Sequence, residues 1–452
     1  MNSRPIALHS KVHFKSQKVR MSPPAVLACG FLGLIVLGAL LLKLPFATTD
    51  SITVQEALFT ATSAVTVTGL VVVDTGTDFT RFGQTVIALL IQAGGLGLMT
   101  FAVVALLAIG GKIGFRQQII ATTAFNQTSW ASVAQTAKAV LLFALVVEAI
   151  GFVILFARWW PDMALPDAAF EAFFYTISAF NNAGFALAAD SLSGFVGDAT
   201  INLTITLLFI AGGLGFGVWM ELWQTRSWRR LSIYSQVLIA SIVIINVVAM
   251  VLILLLEANN QATLAGLTMS EQIWAAWFQA TTPRTAGFNT IDIASLEDST
   301  TTLMLLLMFI GGGSLSTASG IKVMTFVVLV MATYAYLRQR DEVVINWRSI
   351  PRHTVRKALA VALISAFTIW LSIFLLTVTH KAPFLDIVFE AVSAFSTVGL
   401  SRGMTGELSL AGQWIIMLLM FVGRLGPLTM AYFLARPKPK HLKYPEAKFP
   451  IG

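Results

Sequence analysis

The chain has 452 residues, of which 56% are hydrophobic and only 12% charged, with a mean hydropathy of +0.79. Soluble domains hold about 45–50% apolar and about 25% charged residues, so a soluble enzyme or binding module is excluded and a polytopic integral membrane protein is indicated. The net charge of +8 is spread over alternate connections rather than gathered in a patch, which argues against nucleic acid as a partner.

The basic connections are the N-terminal tail (Arg4, Lys11, Lys15, Lys18, Arg20), Lys112 with Arg116, and Arg226 with Arg229 and Arg230. They continue with residues 338–357 and with the C-terminal tail from Arg436 to Lys448. The intervening connections carry Asp74, Asp78, Asp162, Asp167, Asp190, Asp198, Asp292, Glu297 and Asp298. The positive-inside rule therefore places both tails and the basic loops in the cytoplasm.

The first predicted spans, 24–43 and 82–110, flank a stretch at 54–66 that is too short and too polar to cross a bilayer. It ends in Thr66-Val67-Thr68-Gly69. The second pair, 137–157 and 200–224, flanks 168–181 and the string Asn181-Asn182-Ala183-Gly184. The third, 232–256 and 302–337, flanks 271–283 and Arg284-Thr285-Ala286-Gly287. The fourth, 355–379 and 411–434, flanks 384–396 and Ser396-Thr397-Val398-Gly399. Ten residues before each glycine stands an aromatic (Phe59, Phe174, Trp277, Phe389), and six before it a hydroxyl (Ser63, Ser178, Thr281, Ser393).

This repetition implies an all-α integral membrane fold of four pseudo-symmetric helix–pore loop–helix repeats. Eight transmembrane helices and four re-entrant pore helices would surround a central pore. The repeats divide the chain into 1–117 with the N-terminal tail, 118–228, 229–345 with a broken second helix, and 346–452 with the C-terminal tail. Irregular backbone at membrane depth survives only where it is buried or lines water. Each short stretch should thus be a half-crossing helix that turns at its glycine and leaves as extended chain. Glu56, Glu171 and Asp386 would lie in the first turns, with Glu271 in repeat three, complementing the positive end of the helix dipole. Backbone carbonyls of the four strings could replace the hydration shell of a cation, with the glycines permitting close approach. No carboxylate ring stands at that level, which argues against a divalent-ion pore.

Three polar features lie outside the strings. Residues 302–337 would make a helix of about 54 Å, too long for a bilayer. It is broken by Gly311, Gly312, Gly313, Ser314, Leu315, Ser316, Thr317, Ala318, Ser319 and Gly320, readable as a gate below the strings or as a plain helix break. Arg424 lies within the last apolar span, where a charge needs a partner or a watery path, and could meet carbonyls of that loop. Lys322 could do similar work or snorkel toward the cytoplasm. Arg284 could set a field in the pore or turn away to pair with carbonyls or Glu390. Glu148, deep in a span, fits a partner for a base, a coupling site or a protonated acid.

The five histidines lie in tails or loops, and the lone Cys29 excludes an internal disulfide, so neither an enzyme nor a resident metal is indicated. Four parallel repeats also favour a stationary axial pore over two rocking halves.

The strings VTGL, NNAGF, TAGFNT and STVGL, the segment GGGSLSTASGIK and Arg424 resemble the superfamily of potassium transporters that includes Trk, Ktr and HKT proteins, most closely the membrane subunits of Ktr systems. The resemblance implies potassium uptake across the plasma (bacterial inner) membrane, with sodium as a possible activator and no organic cofactor on this chain. It implies a homodimer with one pore per subunit on a cytoplasmic, nucleotide-binding RCK ring of the KtrA kind. It makes Gly69, Gly184, Gly287 and Gly399 the filter glycines, 311–320 the gating loop and Arg424 its contact. Residues 226–230 and 338–357 become candidate contacts of the ring, and the C-terminal segment a dimer contact.

Overall fold

The computed structural model describes residues 23–97, 130–314 and 316–426. The basic tails, Lys112, Arg116, Leu315 and the far ends of the predicted spans 82–110 and 411–434 lie outside the described residues.

One order of elements recurs four times along the described chain. Helix α1 (Pro23–Leu42) leads to the short α2 (Val54–Thr66), an irregular stretch, and α3 (Arg81–Gly95). Next come α4 (Trp130–Trp159), the short α5 (Leu165–Phe180), and α6 (Ala199–Leu214) continued by α7 (Phe216–Thr225). The third set is α8 (Ile233–Glu257), α9 (Met269–Thr281), and α10 (Asp298–Ile310) continued by α11 (Val323–Leu337). The last is α12 (Arg352–Thr379), α13 (Phe384–Ser396) and α14 (Leu410–Leu425). The predicted span 302–337 is therefore two helices, and 200–224 is a pair bent by 96° at Gly215.

Apolar surface faces outward. Among the described residues, segments Ala137–Trp159, Ile233–Glu257 and Arg352–Thr379 are long and apolar enough to span a bilayer, yet only 22%, 28% and 22% of their most apolar windows are buried. Leu142, Val153, Leu255, Leu363, Phe367 and Trp370 are all exposed. The short helices invert the pattern. From Phe59 to Thr66 and from Phe389 to Ser396 every residue is buried, although Thr, Ser and Glu are among them. Lipid serves as the outer solvent, and the polar side chains are gathered at the axis.

Local chemistry starts each short helix. Thr53 with Glu56 and Thr268 with Glu271 form reciprocal capping boxes. The backbone and side chain of Thr268 hold the Glu271 carboxyl below its ordinary value. Asp386 lies in the first turn of α13, as expected. In α5 the expectation shifts: the helix begins at Leu165, so Asp167 is the first-turn acid and Glu171 falls a turn later. Pro166 at the start of the helix fixes that earlier origin.

The second helix of each set packs on the short helix of the next. Thus α3 packs on α5, α6 on α9, α10 on α13, and α14 back on α2. A cyclic bundle results. At its margin, α11 and α12 are joined by a hairpin, with Val344 opposite Ser349 and Ile345 opposite Arg348. Its central residues, Asn346 and Trp347, both have positive φ, as a two-residue hairpin turn demands.

Candidate functional site

The four glycine strings meet at the axis. A side chain on Gly69 would strike the Ala183 carbonyl oxygen, and one on Gly287 would strike that of Val398. One on Gly399 would strike the Thr68 oxygen, and one on Gly184 would stand 2.8 Å from the Cα of Gly287 and 3.0 Å from the Ala286 oxygen. The carbonyl before each glycine therefore lies against the glycine of a neighbouring string. The contacts run first to second to third to fourth to first, and the ring closes.

The backbone repeats as faithfully. The glycines have φ of 90°, 70°, 79° and 93°. Two residues earlier, Val67, Asn182, Thr285 and Thr397 have φ of 57°, 60°, 71° and 51°, while the residue between stays at negative φ. Left-handed φ in β-branched residues is a true outlier and costs about 1–3 kcal/mol at each position. Strain of that size at three of four matching places points to a functional constraint. Residue type concealed it, because valine and threonine ordinarily read as extended.

Hydroxyls tie each string to its short helix. Ser63 Oγ accepts from the Gly69 amide at 3.1 Å, and Ser393 Oγ from the Gly399 amide at 3.2 Å. Ser178 Oγ donates to the Phe185 carbonyl at 2.7 Å. In the third string that part falls to Thr282, which donates to the Phe288 carbonyl at 2.6 Å. Thr281 bonds back to Trp277 and Phe278 within its own helix. The chain between hydroxyl and glycine is one residue shorter there, so counting back from Gly287 picks the wrong threonine.

Arg284 opens the third string, and its side chain turns to the helices behind. It is buried beside Phe209, Gly213, Leu214, Ile242 and Gly312, and its guanidinium reaches the Ala280 carbonyl at 3.5 Å. Glu390 is not its partner. That carboxylate accepts from Ser401 at 2.8 Å and from Thr405, fastening the chain beyond Gly399. The nearby ion pair joins Arg402 to Asp386 at 2.7 Å.

Residues 311–320 leave α10 and come back to nearly the same place. The Val323 amide donates to the Gly312 carbonyl at 3.0 Å, and Gly311 and Gly320 approach so closely that a Cβ on either would meet the other's Cα within about 3 Å. Ser316 Oγ donates to the Gly313 carbonyl at 2.7 Å, and the Ser314 amide to the Tyr234 hydroxyl at 3.2 Å. The Gly313 amide donates to the Gly213 carbonyl at 2.9 Å, and the Thr317 amide to that of Gly212 at 3.2 Å.

Arg424 does meet this loop. Its guanidinium donates to the Thr317 carbonyl and, at 3.5 Å, to Ser319 Oγ. The same group donates to the carbonyls of Gly94 at 2.5 Å and Gly95 at 3.2 Å. Lys322 Nζ donates to the Ala318 carbonyl rather than reaching outward. Repeats two and four thus meet the loop of repeat three, and Arg424 ties repeat one to it.

The glycine clusters of the other second helices have a separate use. A Cβ on Gly94, Gly212 or Gly423 would collide with the carbonyl oxygen of Val65, Phe180 or Phe395, each four residues before its ring glycine. The second helix and the end of the short helix are in close backbone contact at all three.

Ordered carbonyls at the blunt ends of four helices, enclosed by apolar surface, can replace the water around a cation without side-chain charge.

The family model described as TrkH, cation transport protein, matches residues 15–240 and 232–444. The chain is 48% identical to Ktr system potassium uptake protein B of Bacillus subtilis, covering 96% of this chain and 98% of the relative. It is 44% identical to the protein of that name from Vibrio alginolyticus, covering 96% and 95%. It is 33% identical to the potassium/sodium uptake protein NtpJ of Enterococcus hirae, covering 97% and 99%. The crystal structure of the potassium transporter TrkH from Vibrio parahaemolyticus superposes with a TM-score of 0.71 at 21% identity, covering 93% and 86%, which establishes a shared fold.

Proposed function

The chain belongs to the TrkH family of cation transport proteins, a family of membrane ion transporters and not of enzymes, and from that premise we propose that it carries potassium into the cell through a filter built from the four glycine strings. The observation that carries this reading is the closed ring of glycines and carbonyls. The residues assigned to the filter are Thr66–Gly69, Asn181–Gly184, Arg284–Gly287 and Ser396–Gly399, with the Arg284 side chain as a support behind its string. Potassium is the transported ion, as the names of the Bacillus and Vibrio relatives suggest. Sodium acts as an activator or minor permeant, in keeping with the name of the Enterococcus relative.

The loop at 311–320 is the gate, held closed by Arg424 and Lys322. Both termini face the cytoplasm, the protein works as a homodimer in the inner membrane, and a nucleotide-binding ring contacts residues 226–230 and 338–357. The repeat boundaries given above are the units that each supply one string.

The test is uptake of labelled potassium or rubidium by a strain lacking its own potassium uptake, with and without sodium. Saturable uptake that prefers potassium and rubidium supports the reading. Equal uptake of sodium would replace it with an unselective monovalent-cation pathway.

A further inference from the structure

Glu148 is buried midway along α4, and both its oxygens accept from the side-chain amide of Gln92 on α3, at 2.8 and 3.1 Å. A carboxamide has one donor end and one acceptor end. With its nitrogen held by Glu148, Gln92 presents Oε1 to Asn181, whose Nδ2 donates at 2.6 Å. Nδ2 of Asn181 also reaches the Ile177 carbonyl at 2.9 Å and, more distantly, Glu148 Oε1 at 3.5 Å. Its Oδ1, buried and without a hydrogen-bond partner among the described residues, faces Gly95 where any Cβ would collide with it. Gln92 and Gly95 stand one turn apart on α3. The first holds the nitrogen of Asn181 and the second makes room for its oxygen.

The Ile177 carbonyl holds the nitrogen of Asn181 at one end of the relay, and the Glu148 carboxyl holds the nitrogen of Gln92 at the other. A carboxyl that accepts from Gln92 at both oxygens therefore pins the relay at its far end. Asn181 caps α5, Asn182 follows in the left-handed conformation, and the Ala183 carbonyl lies against Gly69. The relay therefore ends where the second string begins. Aligning Gly212 and Gly423 with Gly94 puts Ile210 and Phe421 where Gln92 stands, so those repeats carry no equivalent amide.

We infer that Glu148 is a positioning residue that, through Gln92, orients Asn181 and holds the second string in the shape that discriminates among alkali cations. The inference rests on the filter reading above. Without the carboxyl the ring stays closed, but the buried nitrogen of Gln92 loses its acceptor and the joint between the first and second strings loosens.

The experiment measures rubidium uptake, its inhibition by sodium, and membrane abundance. The variants are Glu148→Leu, Gln92→Leu, both together, Glu148→Gln, and Gly287→Ser for reference. Each single leucine variant should lower the preference for rubidium over sodium by about fivefold, and the double variant should be no worse than either, as coupled residues require. Glu148→Gln, whose oxygen still accepts from Gln92, should keep most of the preference. Multiplying losses in the double variant, or unchanged preference in both singles while Gly287→Ser loses it, overturn the relay. Unchanged preference in Gly287→Ser overturns the filter reading instead. If Glu148→Leu fails to reach the membrane, Gln92→Leu at normal abundance decides alone: unaltered preference overturns the relay, and a loss supports it.

Discussion

The Oγ1 of Thr317 lies 2.8 Å from the Oδ1 of Asn182, so a residue of the broken-helix loop donates directly to a residue of the second glycine string. Gate and filter, as proposed, share a hydrogen bond. Thr317→Val should therefore change two properties at once, raising basal rubidium flux and lowering preference over sodium. Thr317→Ser, which keeps the donor, should change neither. Flux that rises with preference intact would separate the two elements.

The ring leaves no space for a side chain at its glycines. Gly287→Ser and Gly399→Ser would each bring a Cβ against a neighbouring carbonyl, at φ of 79° and 93°. Both should weaken potassium-over-sodium discrimination while protein still reaches the membrane. Competition uptake together with immunoblotting of membranes checks this, and unchanged discrimination would dismiss the filter assignment.

Arg424 bridges the loop and the first repeat with one planar group. Arg424→Gln removes charge-assisted bonds worth about 1.5–3 kcal/mol each in other settings. Retaining even ~1.4 kcal/mol of that as a shift toward the open loop predicts about tenfold more flux without a cytoplasmic partner. Arg424→Lys should restore little, since one ammonium lacks the fork that reaches both Thr317 and Gly94. Proteoliposome flux of the chain alone provides the measurement. Shortening 311–320 should act in the same direction.

The register of the third string gives a simple contrast. Thr282→Val strands the buried Phe288 carbonyl and should cost about 1–3 kcal/mol, visible as a lower melting temperature in detergent. Thr281→Val removes only a bond within its own helix and should shift melting less. Equal shifts would mean that the two threonines share the task.

Much of this could be read along the chain. Four glycines at matching places gave the number of strings, and Arg424 in an apolar span pointed to the loop it contacts. What stayed hidden depends on faces and ends. Pro166 moves the start of α5, so Asp167 replaces Glu171. The link between hydroxyl and glycine is one residue shorter in the third string, so Thr282 replaces Thr281. Glu390 turns toward Ser401 and Thr405 because that face of α13 meets the chain descending from the ring, whereas Arg284 turns toward α6. Linear spacing holds no record of which side of a helix a residue occupies. The strain at Val67, Thr285 and Thr397 was equally invisible, because these residue types ordinarily read as extended, whereas Val67 and Thr397 serve as left-handed caps of their helices.

The ring is closed by its first and last members, Gly69 and Gly399, which lie 330 positions apart in the chain. A ribosome delivers Gly69 early and Gly399 late. Until the fourth repeat inserts, the hoop has a gap where the Thr68 carbonyl awaits its glycine. A chain that ends before the fourth repeat therefore lacks the closed ring, and with it the filter proposed above.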